Sequence, residues 1–441
     1  MIHHIKIHGL LKNYRWFIFI FSLWLVIGQT KAKGQSNSLN FTDSTQTLLS
    51  KSHPNTIPYS SDRTFVEHML AFPSYVFEWA TKPIDFGLKV TERKLPQLLQ
   101  GERGPYGIFP LFELGGNTNF AYGFLAFHNE ISKYHHELRL TGIFGSEDYN
   151  NFEFDYTIPK FLNEKGRFKI DAFYGNDPSI SLFLGNNSNI KDRLLYSTEK
   201  VQSNLRYSQS FKKNIHFSAT TGYYLLNIEP SIFDEETLSD ATKGTPIPAS
   251  LTGTASMLSA GTMITFDLAK GSPRINTGSR YSFGLNWQHS LDDNDHHFLE
   301  YTAEWNQFVP VFFLPNTRRL AFKGTLRKAE SLAGSSIPFF EEPSLGGASD
   351  LRGFSTNRFR DTGSLLLTLE YRYPLWSFAD IVLFMDEGQV FNHYSDITLK
   401  RFHTSYGGGL HFLSAKGFAF RGEYAFSNES SRLILSINHN F

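Results

Sequence analysis

One arginine and two carboxylates stand out in this chain as groups able to recognise one another. Arg352 lies in the run Ser344-Leu345-Gly346-Gly347-Ala348-Ser349-Asp350-Leu351-Arg352-Gly353-Phe354, and Glu370 and Asp386 follow it in the next two segments. A guanidinium is planar and carries its donors in a fork that matches carboxylates, a geometry Lys does not supply. Such pairing is position-holding chemistry rather than catalysis. Glu370 and Asp386 read as an acid and base pair only if one is protonated, and an arginine between them keeps both ionised. A glycine-flanked arginine alone says little, because Gly reports only a backbone that turns tightly or packs closely.

The flanking segments must bring the three groups together. Leu365, Leu367, Leu369, Tyr371 and Tyr373 fall on one parity, and Ser364, Thr368, Glu370 and Arg372 on the other. That is a strand with one apolar and one polar face. In the following segment Ile381, Leu383 and Met385 share a parity, and Asp386 points to the opposite side. Glu370 and Asp386 are therefore expected to face the same way, into an enclosed lumen if the sheet closes on itself.

The order of these pieces resembles the outer membrane protein 85 superfamily, the BamA/TamA-type or bacterial surface antigen barrels. The resemblance rests on Gly346-Gly347 with Leu351-Arg352-Gly353-Phe354, and on Phe384-x-Asp386-x-Gly388 in the strand that follows. It covers roughly the last hundred residues; the rest of the barrel matches by pattern alone. In that family the sixth extracellular loop folds into the barrel and its Arg pairs with acids on the inner wall. The resemblance thus assigns a loop lock to Arg352, with Asp386, Glu370 and Gly388 as its lumenal surroundings. It implies a barrel that assists insertion or translocation of proteins or other macromolecules. The alternative is a structural barrel, pore or anchor without insertase activity. Substrate-capturing members carry periplasmic POTRA domains, and the N-terminal segment here is too short and strand-poor to be one.

Composition fits a membrane barrel. Aromatics make up 16% of the 441 residues, with 43 Phe and 20 Tyr, yet mean hydropathy is only −0.28. Lipid-facing and lumen-facing residues alternate along a barrel strand and cancel in any average, whereas a membrane helix needs about twenty consecutive apolar residues. Residues 1–32 read as a secretory signal peptide: Lys6, Lys12 and Arg15 precede an apolar core from Trp16 to Gly28, and small residues follow near Ala32. An uncleaved anchor is the alternative, for which the core is short. The chain has no Cys, which excludes a lipid-modified N-terminus and a disulfide framework. With 42 basic and 42 acidic residues nothing points to nucleic acid.

Residues 33–60, rich in Ser, Thr, Asn and Pro, read as a flexible linker. In 61–100 the period changes, and Phe65, Met69, Phe72, Val76 and Trp79 draw an apolar stripe along a helix that Pro73 should bend. Packing on the barrel rim, lying in the membrane interface and partly plugging the lumen all remain open for it. Over 104–441 the period is two, in about sixteen alternating segments, so the fold class is an all-β, 16-stranded antiparallel transmembrane barrel. Long connections then fall on one side and short turns on the other. Leu433, Leu435, Ile437, His439 and Phe441 share the outward parity of the last segment, which resembles the C-terminal signal by which barrels are recognised for assembly.

Pro110 sits inside the first strand and Gly115-Gly116 close it, so the seam where this strand meets residues 431–441 is expected to be weakly paired. In the family that seam is the proposed lateral gate; a local bulge is the alternative. The acid- and His-rich run Asp292 to His297 reads as a solvated turn rather than a metal site. No catalytic arrangement, phosphate-binding loop or cofactor motif stands out, and the chain reads as a non-enzyme without cofactors. Its implied partners are outer-membrane lipid, the barrel assembly machinery, of which it is a client, and nascent outer-membrane proteins; oligomerisation is left open. The implied location is the bacterial outer membrane.

Overall fold

The computed structural model describes residues 105–436, apart from 115–119, 147, 184–185, 187–192, 231–252, 272–275, 293–294, 312–317, 377–378 and 415–416, together with Glu67, Met69 and Phe72. The last three are helical. The expected signal peptide, the linker, the rest of the 61–100 segment and Phe441 lie outside the described residues.

From Tyr106 onward the alternation of side chains dictates strands, and they pair in chain order. They are β1 (Tyr106–Leu114), β2 (Phe120–His128), β3 (Glu137–Gly145), β4 (Asn150–Pro159), β5 (Gly166–Phe183), β6 (Arg193–Lys212), β7 (Ile215–Pro230) and β8 (Gly253–Asp267). The second half comprises β9 (Asn276–Ser290), β10 (His297–Pro310), β11 (Arg319–Ser331), β12 (Gly363–Trp376), β13 (Ala379–Phe391), β14 (His403–Ser414), β15 (Gly417–Phe426) and β16 (Ser431–Ser436). Every neighbour pair is antiparallel, and β16 returns to β1, so the sheet closes. A two-residue piece, Lys270–Gly271, extends the β8–β9 connection.

The register shows why such a sheet suits a bilayer. Between β9 and β10, Tyr281 faces Trp305, Phe283 faces Ala303 and Leu285 faces Tyr301, whereas the alternate pairs are Ser282 with Glu304 and Asn286 with Glu300. Phe283 and Leu285 are about half exposed, at 51% and 47%, on the outer face. Lipid rewards that exposure, and closure leaves no sheet edge with unmet backbone groups. On the inner face of β4–β6 polar contacts link neighbouring strands: Lys169 Nζ lies 2.7 Å from Asp155 Oδ1, and Asn204 donates to Asp171 at 2.6 Å.

Strand length varies around the wall. β1, β2 and β3 have 9 residues each and β6 has 20. At about 3.4 Å per residue the short strands span ~31 Å, enough for an apolar band of about 25 Å, while β6 reaches ~68 Å and must project beyond it. Connections are short at one end, as at 213–214, 377–378 and 415–416, and long at the other, as at 231–252, 332–362 and 392–402.

Asp295 is exposed, but Asp292 and His296 depart from the solvated turn expected of the Asp292 to His297 run. Asp292 accepts the backbone N–H of Ser256 at 2.7 Å and the hydroxyl of Ser290, and His296 is buried with Nδ1 3.0 Å from Ser336 Oγ. Buried N–H groups require acceptors, and an acid at a strand end supplies one. Among the described residues no group of His, Asp and Glu is arranged to hold a metal ion.

Candidate functional site

The 332–362 connection enters the lumen and lines the inside of β12–β16. A short ribbon pairs Ser344–Leu345 with Phe359–Arg360. Gly346 and Gly347 follow with φ of +115° and +113°, a backbone that L side chains rarely adopt. Phe354 N–H donates to Leu351 O at 3.0 Å, and Gly347 N–H donates to Phe354 O at 3.2 Å. The Leu351–Phe354 turn thus presents Arg352 at its corner. Leu351, Phe354, Phe359 and Leu345 form a buried cluster with Leu366 of β12. Gly388 on β13 makes room for it, since a Cβ there would lie 2.8 Å from Leu351 Cδ1 and 2.9 Å from Leu345 Cδ1. Gly353 packs so closely on β15 that its Cβ would fall 2.5 Å from Phe426 O.

Arg352 is 4% exposed. Its Nε donates to Asp386 Oδ2 at 2.9 Å and its Nη2 to Asp386 Oδ1 at 2.7 Å, a two-pronged contact. Its Nη1 donates to Glu370 Oε1 at 3.1 Å and to Glu423 Oε1 at 3.2 Å. The guanidinium also lies over the ring of Phe384, 3.4 Å from the centroid. One cation is thus shared by three strands through their carboxylates, with an aromatic floor beneath it. Each acid has further support. Thr368 and Ser405 hydroxyls donate to Asp386 at 3.1 and 3.0 Å. Arg372 grips Glu370 Oε2 from Nε and Nη2 at 3.0 and 2.7 Å, and His411 Nε2 sits 2.7 Å from Glu423 Oε1. Three carboxylates face Arg352, Arg372 and the more distant Arg421, so the buried cluster is close to charge balance. A low-dielectric site demands such balance.

Arg352, Glu370 and Asp386 come together here, with Gly388 beneath the loop. Glu423 and His411 escaped sequence reasoning because no motif marks them; the signal available was parity, since Glu423 alternates with Gly422 and Tyr424. Phe384 was seen only as part of a motif, and its role as a stacking platform follows from geometry alone.

Further contacts tie the same loop to the β15–β16 hairpin. Arg358 donates to both oxygens of Glu429 at 2.8 Å, Ser427 and Ser430 hydroxyls donate to Gly353 O at 2.8 Å, and Arg432 donates to Phe354 O. Nearer the long-loop end, Phe339 packs in an apolar cluster with Tyr196, Tyr224, Leu226, Met257 and Phe298. Glu341 beside it accepts from Tyr224 at 2.5 Å and Gln288 at 3.0 Å.

Among the described residues the seam consists of two register pairs, Glu113 with Ser436 and Leu114 with Leu435, against nine between β1 and β2. The ladder phase shows where Pro110 acts. Pro105 O accepts from Asn129 N–H, so the odd residues of β1 direct their backbone groups to β2 and the even ones to the opposite edge. Pro110 therefore withholds a donor from the edge facing β16.

These features define a transmembrane β-barrel with an inward-folded loop bound to its wall. The Omp85 superfamily domain matches residues 135–440, and the chain belongs to that superfamily. No curated protein matches it in sequence. In fold it is similar to BamA from Haemophilus ducreyi lacking POTRA domains 1–3, with a TM-score of 0.55 at 16% identity, over 76% of this chain and 70% of that one. It is also similar to CdiB from Escherichia coli, with a TM-score of 0.52 at 12% identity, over 76% of this chain and 63% of that one.

Proposed function

We propose that this barrel assists the insertion or translocation of proteins at the bacterial outer membrane, with Arg352 holding the 332–362 loop in the lumen and the β1–β16 seam as the part that opens. The observation that carries this reading is the joint placement of the two: the loop locked on Asp386, Glu370 and Glu423 is the same loop that grips the β15–β16 hairpin, whose second strand closes the barrel on β1. A seam gripped from inside can be controlled by the loop. Superfamily membership supports the general role.

The experiment is a seam lock. Glu113 and Ser436 are Cα partners at a position that is not hydrogen-bonded between β1 and β16 by the phase above, where Cα atoms approach to about 4.5 Å and a disulfide fits. The chain has no native Cys, so E113C/S436C is a clean pair. In liposomes carrying the reduced variant a barrel client should fold faster than in empty liposomes, and oxidation should abolish the gain. A client rate unaffected by the barrel would leave the second reading, a pore, anchor or scaffold; a gain that survives oxidation would refute the seam as the moving part.

A further inference from the structure

The outer wall of β8–β11 departs from a uniform lipid-facing surface. Register places Ile264, Phe283, Ala303 and Leu326 in one outward row across the four strands, and Thr262, Leu285, Tyr301 and Lys328 in the next. Ala303 is small between Phe283 and Leu326, and the wall is hollowed there into a depression of about 510 Å³. Its lining is mostly apolar, with the hydroxyls of Thr262, Thr302, Tyr301 and Tyr394 and a single charged residue, Lys328; Tyr394 belongs to the 392–402 connection at the long-loop end.

Lys328 is the unusual member. It is only 7% exposed, although it stands on the outward parity, beside Tyr301. Its Nζ donates to Ala329 O at 3.1 Å and to Thr362 Oγ1 at 2.9 Å. Among the described residues no carboxylate reaches it, and an ammonium has three donors. One N–H and a full charge are left over at the edge of an apolar groove. Cations on the lipid side of a barrel are tolerated near the interface, where headgroup anions meet them.

We propose that this depression is a binding site for a phosphorylated, acylated glycolipid of the outer leaflet, one acyl chain lying over Ala303 between Phe283, Tyr301 and Leu326, and a phosphate oxygen accepting from Lys328 Nζ. The long-loop end carries the cation, and it is the end of the 332–362 connection, which the family resemblance makes an extracellular loop. Tyr394, more than half exposed, offers an amphipathic edge to the sugar. The site is remote from the Arg352 cluster and makes no use of client handling.

The test uses the full chain in micelles of an uncharged detergent, with lipid A, phosphatidylglycerol or phosphatidylcholine added, and native mass spectrometry to count retained lipid. Lipid A should be retained at one molecule per barrel, more tightly than either phospholipid. K328Q keeps hydrogen-bonding capacity towards Ala329 and Thr362 but removes the charge, and should weaken retention about tenfold, as the loss of one charge-assisted hydrogen bond does. A303L fills the groove floor from the lipid side, leaves Lys328 in place, and should weaken it by a similar factor. Equal retention by the parent and both variants overturns the site, and so does phosphatidylcholine retained as well as lipid A. Phosphatidylglycerol held as tightly as lipid A overturns the glycolipid assignment.

Discussion

Replacing Arg352 by Ala removes a guanidinium whose three partners differ in what they keep. Glu370 retains Arg372 in a two-pronged contact, and Glu423 retains His411 at 2.7 Å. Asp386, whose side chain is fully buried, retains the hydroxyls of Thr368 and Ser405 and a long bond at 3.4 Å from the backbone N–H of residue 352, but no cation among the described residues. One uncompensated buried carboxylate is therefore the main cost, about 3–5 kcal/mol, to which the lost stacking on Phe384 adds about 1–2 kcal/mol. Arg352→Lys keeps the charge but reaches one acid at a time, and should lose roughly half as much. The assay is urea-driven unfolding of the barrel in lipid vesicles, with the loss read from the shift in midpoint. Adding Asp386→Asn to Arg352→Ala removes the stranded charge and should recover about 2 kcal/mol or more. Equal midpoints for the parent and Arg352→Ala refute the reasoning, as does a double variant no better than the single one.

Gly388→Val places atoms where Leu351 and Leu345 now lie, 2.8 and 2.9 Å from the new Cβ, and should expel the loop tip. Limited proteolysis within 332–362 reads this, with the parent resistant and the variant cut while its barrel stays intact. Glu342, in the same loop, has its carboxyl pushed up to about 7 by burial, against the pull of Arg360 and with the push of Asp361. A carboxyl raised in the folded state binds its proton more tightly there than in the unfolded chain. Stability is therefore lost as pH rises from about 4.5 through 7, and Glu342→Gln should flatten that slope in melting temperatures taken across the range. Glu341→Ala removes the acceptor of Tyr224 and Gln288 at the apolar plug around Phe339, and should raise conductance in planar bilayers. An unchanged current would show that the plug holds without it.

The barrel was legible in the sequence because a closed sheet in lipid forces strict alternation, and Tyr281 to Trp287 or Leu365 to Tyr373 display it openly. The same rule puts Glu370 and Asp386 on one face, and both meet Arg352 there. What stayed hidden depends on distances across the lumen, which parity does not supply. Glu423 had the right parity but nothing linking β15 to Arg352. Leu366 stands on the inner parity among polar neighbours, and its burial against Leu351 and Phe354 is a property of the docked loop. Phe339 lies in a connection without period, so nothing marked it as a plug. For Pro110 the sequence identifies a missing donor; only the ladder phase decides which neighbour loses it.

The anchors on the loop and the closing seam belong to one mechanical arrangement. β16 closes the barrel on β1, with Glu113 opposite Ser436 and Leu114 opposite Leu435. The hairpin that contains it is also held from inside, through Arg358 on Glu429, Ser427 and Ser430 on Gly353, Arg432 on Phe354 and Arg421 on Ala348. Each of these bonds ends on the loop whose tip carries Arg352. Sheet hydrogen bonds across a seam must break together for an edge to part, whereas side-chain anchors can yield one at a time as the loop shifts. A wall built this way holds its closing strand through the loop as well as through the ladder, so the buried ion cluster adds to the energy needed to free that strand.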